Sequence, residues 1–419
     1  MLKFPFGDGG FAVELEGDLI RHRQMPPLPD EHAAIREALR KPTGTKPLRD
    51  IVKPGDSVVL IVNDITRLTR SDLMLPLIVE ELNLAGVPDS DILIVFALGI
   101  HRPQTPEERR RILGDDLYGR LRAIDHDAYD EANLVPVGST SFGNTVEINR
   151  RVLEADRILL TGEIIYHLIA GYSGGRKSLV PGVAGARTTT FNHSMIFDPR
   201  CRSGVLDGNP AHEDLLEACR LVQPDFMLNV VLSPEGELVK VVAGHYDLAH
   251  RQGCAAVDQM LGADLDAPYD LIVASAGGFP LDIDLRQAHK GLENAVQALK
   301  PGGSILFYAE CRSGAGHASF EDYIARYEND REMEQALRKK FEIGGHKAWW
   351  IARLGRLFDV HLVSTLPEEF VRRCHFHPVG PERHAQRLAE LVSRHRRAGV
   401  LPYAGFTLPK VTTKEAVFS

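Results

Sequence analysis

Six residues, Val58-Val59-Leu60-Ile61-Val62-Asn63, follow one another without a charge or a turn former. A short run this rich in β-branched residues reads as a strand covered on both faces, the kind found in parallel sheets. Similar runs recur at Asp91–Leu98, at Arg157-Ile158-Leu159-Leu160-Thr161-Gly162 and at Leu271-Ile272-Val273-Ala274. Helical spacing fills the intervals. Ser71–Ala85 repeats Leu and Ile at helical intervals. Thr105-Pro106-Glu107-Glu108 reads as a helix start, with Thr105 as the cap, Pro106 at the first position and Glu108 placed to close a capping box. Strand, polar loop and helix in alternation predict a doubly wound α/β fold.

Further helices are expected at 31–40, 209–222 and 246–262, with strands near Met227–Leu232 and Val239–Ala243. A short β-rich start is expected around Phe11–Leu15. Gly262–Pro268 reads as a linker. Beyond it the pattern resumes: the 271–274 strand, a helix at 284–299, a strand at 304–309, helices at 319–341 and 347–357, and a strand at 360–364. Two α/β domains with parallel-rich sheets follow, at 1–265 and 266–401.

A net charge of -8 argues against nucleic acid as a partner, and the arginine patch Arg109-Arg110-Arg111 sits beside Glu107 and Glu108 as a solvated helix face would. The 5 cysteines form no C-x-x-C pair, so no zinc knuckle is indicated, and their dispersal fits a reducing cytoplasm. The start of the chain lacks the apolar core of a signal peptide, and no run is apolar enough to span a bilayer, so no membrane partner is expected.

In open α/β sheets ligands bind beyond the carboxyl ends of the strands. The polar stretches there are Asn63-Asp64-Ile65-Thr66-Arg67 after the first strand and His101-Arg102 after the second. After the third come Tyr166-His167-Leu168-Ile169-Ala170-Gly171-Tyr172-Ser173-Gly174-Gly175-Arg176-Lys177 and then His193. Glycines, a hydroxyl and two cations at a strand end suit an anion, and a desolvated lysine there could also act as a nucleophile. In the second domain Gly277-Gly278 follows a strand, and Gln287 and Lys290 share a helix face. Each feature has an ordinary reading. Asp64 could simply cap a turn, with Arg67 paired to it, and Trp349-Trp350 read as packing residues. With 17 histidines in the chain, any single one is more often structural than catalytic. Several such loops together point to a site in a cleft between domains.

In combination these motifs resemble the nickel-dependent lactate racemase family and its relatives acting on short 2-hydroxy acids. The motifs are Asp64-Ile65-Thr66-Arg67; Gly99-Ile100-His101-Arg102; His167 through Gly174-Gly175-Arg176-Lys177; His193; Gly277-Gly278-Phe279-Pro280-x-Asp282; and Gln287-x-x-Lys290. The resemblance implies a nickel-pincer nucleotide, a pyridinium mononucleotide whose two sulfur-bearing arms and one ring carbon hold nickel, joined covalently to Lys177. It implies His193 as the protein's nickel ligand and His101 and His167 as the acid–base pair. Asp64, Thr66, Arg67, Ser173, Gly174, Gly175, Arg176 and Lys177 would hold the cofactor, and Arg67, Gln287 and Lys290 the substrate's carboxylate. It further implies that the chain's end, about 402–419, returns to the first domain, and that other proteins build and load the cofactor. The expected activity is racemisation of lactate, 2-hydroxybutyrate or a similar acid by proton-coupled hydride transfer through a 2-keto acid.

The pattern departs from the family at Leu68-Thr69-Arg70, where prolines are expected, and at Arg286, where an aromatic is expected. A cation at Arg286 would suit a second carboxylate, so a racemase of malate or another dicarboxylate is an alternative. A non-enzymatic nickel or anion binder is another, though it leaves His101, Gln287 and Lys290 without a role. A nicotinamide-dependent dehydrogenase would need a G-x-G-x-x-G after the first strand, and that strand ends instead in Asn63-Asp64.

Overall fold

The computed structural model describes residues 2–67 and 69–412. They form two compact units, one of Gln24–Asp258 and one of Met1–Arg23 with Gln259–Ser419.

The 24–258 unit is built on a six-stranded sheet. Its order is Leu238–Gly244, Phe226–Leu232, Arg157–Glu163, Val58–Asn63, Ile92–Ala97 and Arg122–Asp125. All pairs are parallel except Leu238–Gly244, which is antiparallel at one edge. Val58 to Val62 are buried throughout, as the unbroken apolar run requires. The chain leaves strand Val58–Asn63 toward Ile92–Ala97 on one side and returns to Arg157–Glu163 on the other. That reversal is a topological switch point, the place where open α/β sheets bind ligands. The loops concerned are those after Asn63, Ala97 and Glu163, which carry Asp64, His101 and His167. The capping box of helix Pro106–Leu117 is formed as expected: Thr105 Oγ1 accepts from the Glu108 amide and Glu108 Oε2 accepts from the Thr105 amide.

One hairpin of this unit, Leu134–Ser139 with Thr145–Asn149, was not legible in the sequence. It braces helix Ala186–Ser194: Thr188 Oγ1 donates to the Thr145 carbonyl at 2.8 Å and accepts from the Glu147 amide at 2.9 Å.

The second unit has a six-stranded, wholly parallel sheet ordered His377–Val379, Asp359–Val363, Leu299–Tyr308, Tyr269–Ser275, Ala398–Leu401 and Asp18–Leu19. The domain boundaries need correcting here. Asp18–Leu19 extends this sheet, and the hairpin Leu2–Phe6 with Gly9–Val13 covers its core, with Phe4 packed among Leu271, Val273, Leu306 and Tyr308. The expected linker contains a strand, Gly262–Leu265, which pairs in parallel with Leu408–Val411. Both ends of the chain therefore belong with the second unit, rather than with the first as expected; residues 413–419 of the predicted return lie outside the described residues. Alternating apolar residues announce a strand, but they do not say which distant sheet will accept it. The single expected helix at 319–341 is two, Ala318–Arg326 and Asp330–Lys339, the second started by Asn329, whose side chain accepts from the Arg331 and Glu332 amides.

Phe4 provides a test of this assignment. Phe4→Ala should cost about 3–5 kcal/mol, and hydrogen exchange should show protection lost first in Tyr269–Ser275. An effect confined to Val58–Asn63 would contradict it.

Candidate active site

Asp64 is the first residue after the central strand, and its two oxygens do different things. Oδ1 accepts from Thr66, from the amide at 3.2 Å and from Oγ1 at 2.6 Å, which closes the turn. Oδ2 lies 2.5 Å from His101 Nδ1. Burial alone would push this carboxyl up, but the hydrogen bonds from His101 and Thr66 outweigh it and hold it below the usual carboxylate range. A carboxylate accepts only, so Nδ1 of His101 carries a proton, and in the neutral ring the lone pair is on Nε2. The ring is about half exposed, with a side-chain exposure of 46%. Asp64 thus caps its turn, as the ordinary reading has it, and also orients a histidine.

The loop after strand Arg157–Glu163 turns back on itself through the short pair Tyr166–His167 with Gly171–Tyr172. Its glycines are required by close packing. Gly174 has φ 73°, and a Cβ there would lie 2.7 Å from both Asn229 Oδ1 and Ile164 Cγ1. Most of the loop's amides are bonded within the protein. The amides of Ser173, Gly175, Lys177 and Ser178 donate to Ile165 O, Asn229 Oδ1, Gly174 O and Gly175 O, at 2.7 to 3.1 Å. The Ser173 hydroxyl accepts from the Ile165 amide and donates to Glu163 O. Arg176, fully buried, bonds the carbonyls of Ala170 and Tyr172 at 2.9 Å and of Gly174 at 3.2 Å, with His250 Nε2 2.7 Å from its Nη1. Ser173, Gly174, Gly175 and Arg176 therefore help to fix the loop's shape around Lys177.

Burial, then the charges of Arg176 and Arg67, push the Lys177 ammonium well below its ordinary range, which favours the free amine. His167 is held neutral for the same reasons: burial first, then Lys177, Arg67 and His193. Its Nδ1 accepts from the amides of Ile169 at 3.1 Å and Ala170 at 3.2 Å, so the neutral ring keeps its proton on Nε2. The two candidate acid–base histidines therefore stand in opposite states, one with an accepting Nε2 and the other with a donating one. Arg67, exposed, acts electrostatically on Asp64, Glu163, His167 and Lys177, which gathers all of them about one guanidinium.

His193 is positioned by its helix. Its Nδ1 donates to the Thr189 carbonyl at 2.9 Å, which leaves the lone pair of a neutral ring on Nε2. Its neighbour Asn192 is anchored to the buried Asp214 at 2.8 Å, and Asp214 is in turn bonded by Thr140 and Asn144.

Glu163 was missed by the sequence analysis. It ends the third strand, and burial raises its carboxyl to about 7 against the opposing charge of Arg67. The available signal was its position, an acid where the apolar run meets the loop. In the second unit Asp284 caps helix Leu285–Val296, and on the exposed side of that helix Lys290 Nζ donates to Gln287 Oε1 at 2.9 Å. Arg286 is half-buried. Trp349 and Trp350 are buried in helix Gly345–Leu357 as packing residues.

The class of protein is an α/β protein whose histidines and buried lysine lie on the loops at a switch point. Comparison with known proteins makes the class more definite. Residues 6–204 match the family profile described as lactate racemase N-terminal domain, and residues 265–400 that of the lactate racemase C-terminal domain. A lactate racemase of Thermoanaerobacterium thermosaccharolyticum is 31% identical over 96% of this chain and 97% of its own length. One of Lactiplantibacillus plantarum is 33% identical over 73% of each chain. The structure of the Thermoanaerobacterium thermosaccharolyticum lactate racemase apoprotein matches with TM-score 0.89 and 30% identity, covering 97% of this chain and 99% of that one. A Thermotoga maritima protein, 19% identical with TM-score 0.66 and covering 93% of this chain and 100% of that one, shares the fold. The chain belongs to the lactate racemase family, and it is an isomerase of the racemase type. No helix among the described residues is long and apolar enough to cross a membrane.

Glu163 sets a pH dependence whose sign follows from its raised value. Between the unfolded carboxyl value, about 4.3, and about 7 the folded chain binds the extra proton, so this group's contribution falls as pH rises through that window. Glu163→Gln should remove that slope in denaturation measured at several pH values. A wild-type minus variant difference that stays constant from acid to neutral pH would refute it.

Proposed function

We propose that the protein racemises a short 2-hydroxy acid, with lactate the first candidate and 2-hydroxybutyrate the next. The observation that carries this reading is the pair of histidines in unlike hydrogen-bonding states, His101 backed by Asp64 and His167 backed by backbone amides. Inverting a carbon that bears hydrogen and hydroxyl requires a group that takes the hydroxyl proton and returns it, and a hydrogen-bond donor to the oxygen while it is a ketone, and two histidines in unlike states serve both needs.

The cofactor of this reading is the nickel-pincer nucleotide, and the residues present fit it. A partly buried lysine whose ammonium form is disfavoured suits covalent attachment, which an ordinary surface ammonium would not. A histidine whose Nδ1 is tied to a backbone carbonyl offers Nε2 to a metal in a fixed direction, and nitrogen suits nickel. When bound, the pyridinium of such a cofactor supplies an acceptor and donor for hydride at C2. The protein's own part is proton handling and orientation. Nε2 of His101 takes the hydroxyl proton and gives it back to the oxygen when the alcohol re-forms, and the Asp64 carboxylate at Nδ1 stabilises the imidazolium that exists in between. His167 offers Nε2–H to the oxygen as it becomes a ketone. Arg67 holds the carboxylate by paired charge-assisted hydrogen bonds.

The test is a chiral assay of lactate, 2-hydroxybutyrate and malate with protein made alongside cofactor-building enzymes. Racemisation of a monocarboxylate is expected. His101→Ala and His167→Ala should each lose a factor of roughly 100 to 10,000 while keeping nickel. His193→Ala should lose the metal, and intact mass should show an adduct on wild type that is absent from Lys177→Ala. Loaded protein that inverts none of the three acids, or full activity in both histidine variants, would overturn the proposal.

Arg286 tests the substrate class. Arg286→Ala should change the rates on lactate and malate alike. A loss confined to malate would assign the protein to dicarboxylates instead.

A further inference from the structure

In the second unit, away from the residues assigned above, two histidines and an aspartate converge on one face of the sheet. Asp359 and His361 are two apart on strand Asp359–Val363 and so project to the same side. His377 opens the neighbouring parallel strand and stands in register with His361. Their rings stack with centroids 4.7 Å apart and planes at 22°. Both turn Nε2 to the same carboxylate: His361 Nε2 lies 3.0 Å from Asp359 Oδ2, and His377 Nε2 lies 3.1 Å from Oδ1. The candidate ligand atoms all fall within 4.8 Å of one another.

We propose that Asp359, His361 and His377 form a binding site for a divalent transition metal of the zinc type, separate from the nickel of the proposed cofactor. Two imidazole nitrogens and a carboxylate oxygen are a common protein ligand set for zinc, with bonds of about 2.0–2.2 Å. Ligand atoms that already converge within 4.8 Å need only small side-chain rotations to reach a shared ion. Ser304 Oγ, on the adjoining strand, donates to Asp359 Oδ2 at 2.7 Å and fixes the carboxylate's orientation, the supporting role that outer hydrogen bonds play at metal sites. Exposure rises from 5% for the His361 side chain through 37% for Asp359 to 60% for His377, so the ion has a protein floor and an open side for entry and for water as a fourth ligand.

The site is at a distance from the substrate residues of its own unit. Asp359 is the first residue of its strand, so the cluster lies toward the amino ends of the parallel strands. Gly277 and Gly278, which lead to helix Leu285–Val296, follow the carboxyl end of Tyr269–Ser275 in the same sheet. The ion's effect would be structural. His377–Val379 is a three-residue edge strand, and an ion shared between it and its neighbour cross-links the edge to the sheet.

The experiment uses full-length protein made without the cofactor-building enzymes, stripped with chelator and titrated with zinc chloride by calorimetry. One site of micromolar or tighter affinity is expected, with a rise in melting temperature on adding zinc. His377→Ala, a change at an exposed side chain, and the near-isosteric Asp359→Asn should each weaken that binding at least tenfold and remove the thermal shift. Circular dichroism should confirm that both variants fold. His193→Ala should leave this site unchanged. Cobalt(II) in place of zinc should give the visible absorption of a low-coordinate nitrogen–oxygen site in wild type but not in His377→Ala. Absence of zinc binding, or binding that persists undiminished in His377→Ala and Asp359→Asn, would overturn the proposal.

Discussion

A guanidinium buried in a knot of carbonyls underlies the active loop. Arg176 has no solvent exposure, and its hydrogen-bond partners are backbone oxygens and a histidine instead of a carboxylate. Burying a charge is costly unless it is hydrogen-bonded. The loop supplies that compensation by folding its carbonyls inward, and burial lowers the guanidinium only to about 10, so it remains charged at neutral pH. Two consequences follow for the neighbouring residue. The loop's backbone is held in one shape, and a fixed positive charge stands beside Lys177. That charge, with burial and Arg67, is what pushes the lysine ammonium below its ordinary range. A substitution of Arg176 would therefore disturb both the loop's shape and its electrostatics.

The same positive field divides the two histidines. His167 lies within it, among Lys177, Arg67 and His193, and is kept neutral. His101 stands on the other loop with Asp64, whose carboxylate is kept ionised by the hydrogen bonds it receives. Unlike environments for like side chains allow one site to give and take protons at one pH. The sheet's reversal at strand Val58–Asn63 provides these two settings, because the loops on either side of a switch point leave from different strands and carry different neighbours.

Much of this was legible locally. Strands covered on both faces betray themselves as unbroken apolar runs, and Val58–Asn63 is observed with the expected bounds. The Thr105 cap and its box follow from four consecutive residues. The order of polar loops at strand ends was enough to select Asp64, His101, His167, Lys177 and His193 as candidates, since parallel topology brings carboxyl ends together. The hairpin at Leu134–Asn149 and the attachment of the first 23 residues to the second unit were not legible, since both depend on partners far along the chain.

The residues alone therefore determined the α/β class, most elements and the chemical inventory of the site, because periodicity and capping act over a few neighbours. Tertiary packing decided what each group in that inventory does. It turned the glycine loop's amides and Arg176 inward to hold the loop together, raised Glu163, lowered Lys177, and set opposite protons on His101 and His167. It also brought His361 and His377 into register on adjacent strands. Burial, hydrogen-bond partners and charge at a few ångströms are properties of distant segments brought together, and no local pattern encodes them.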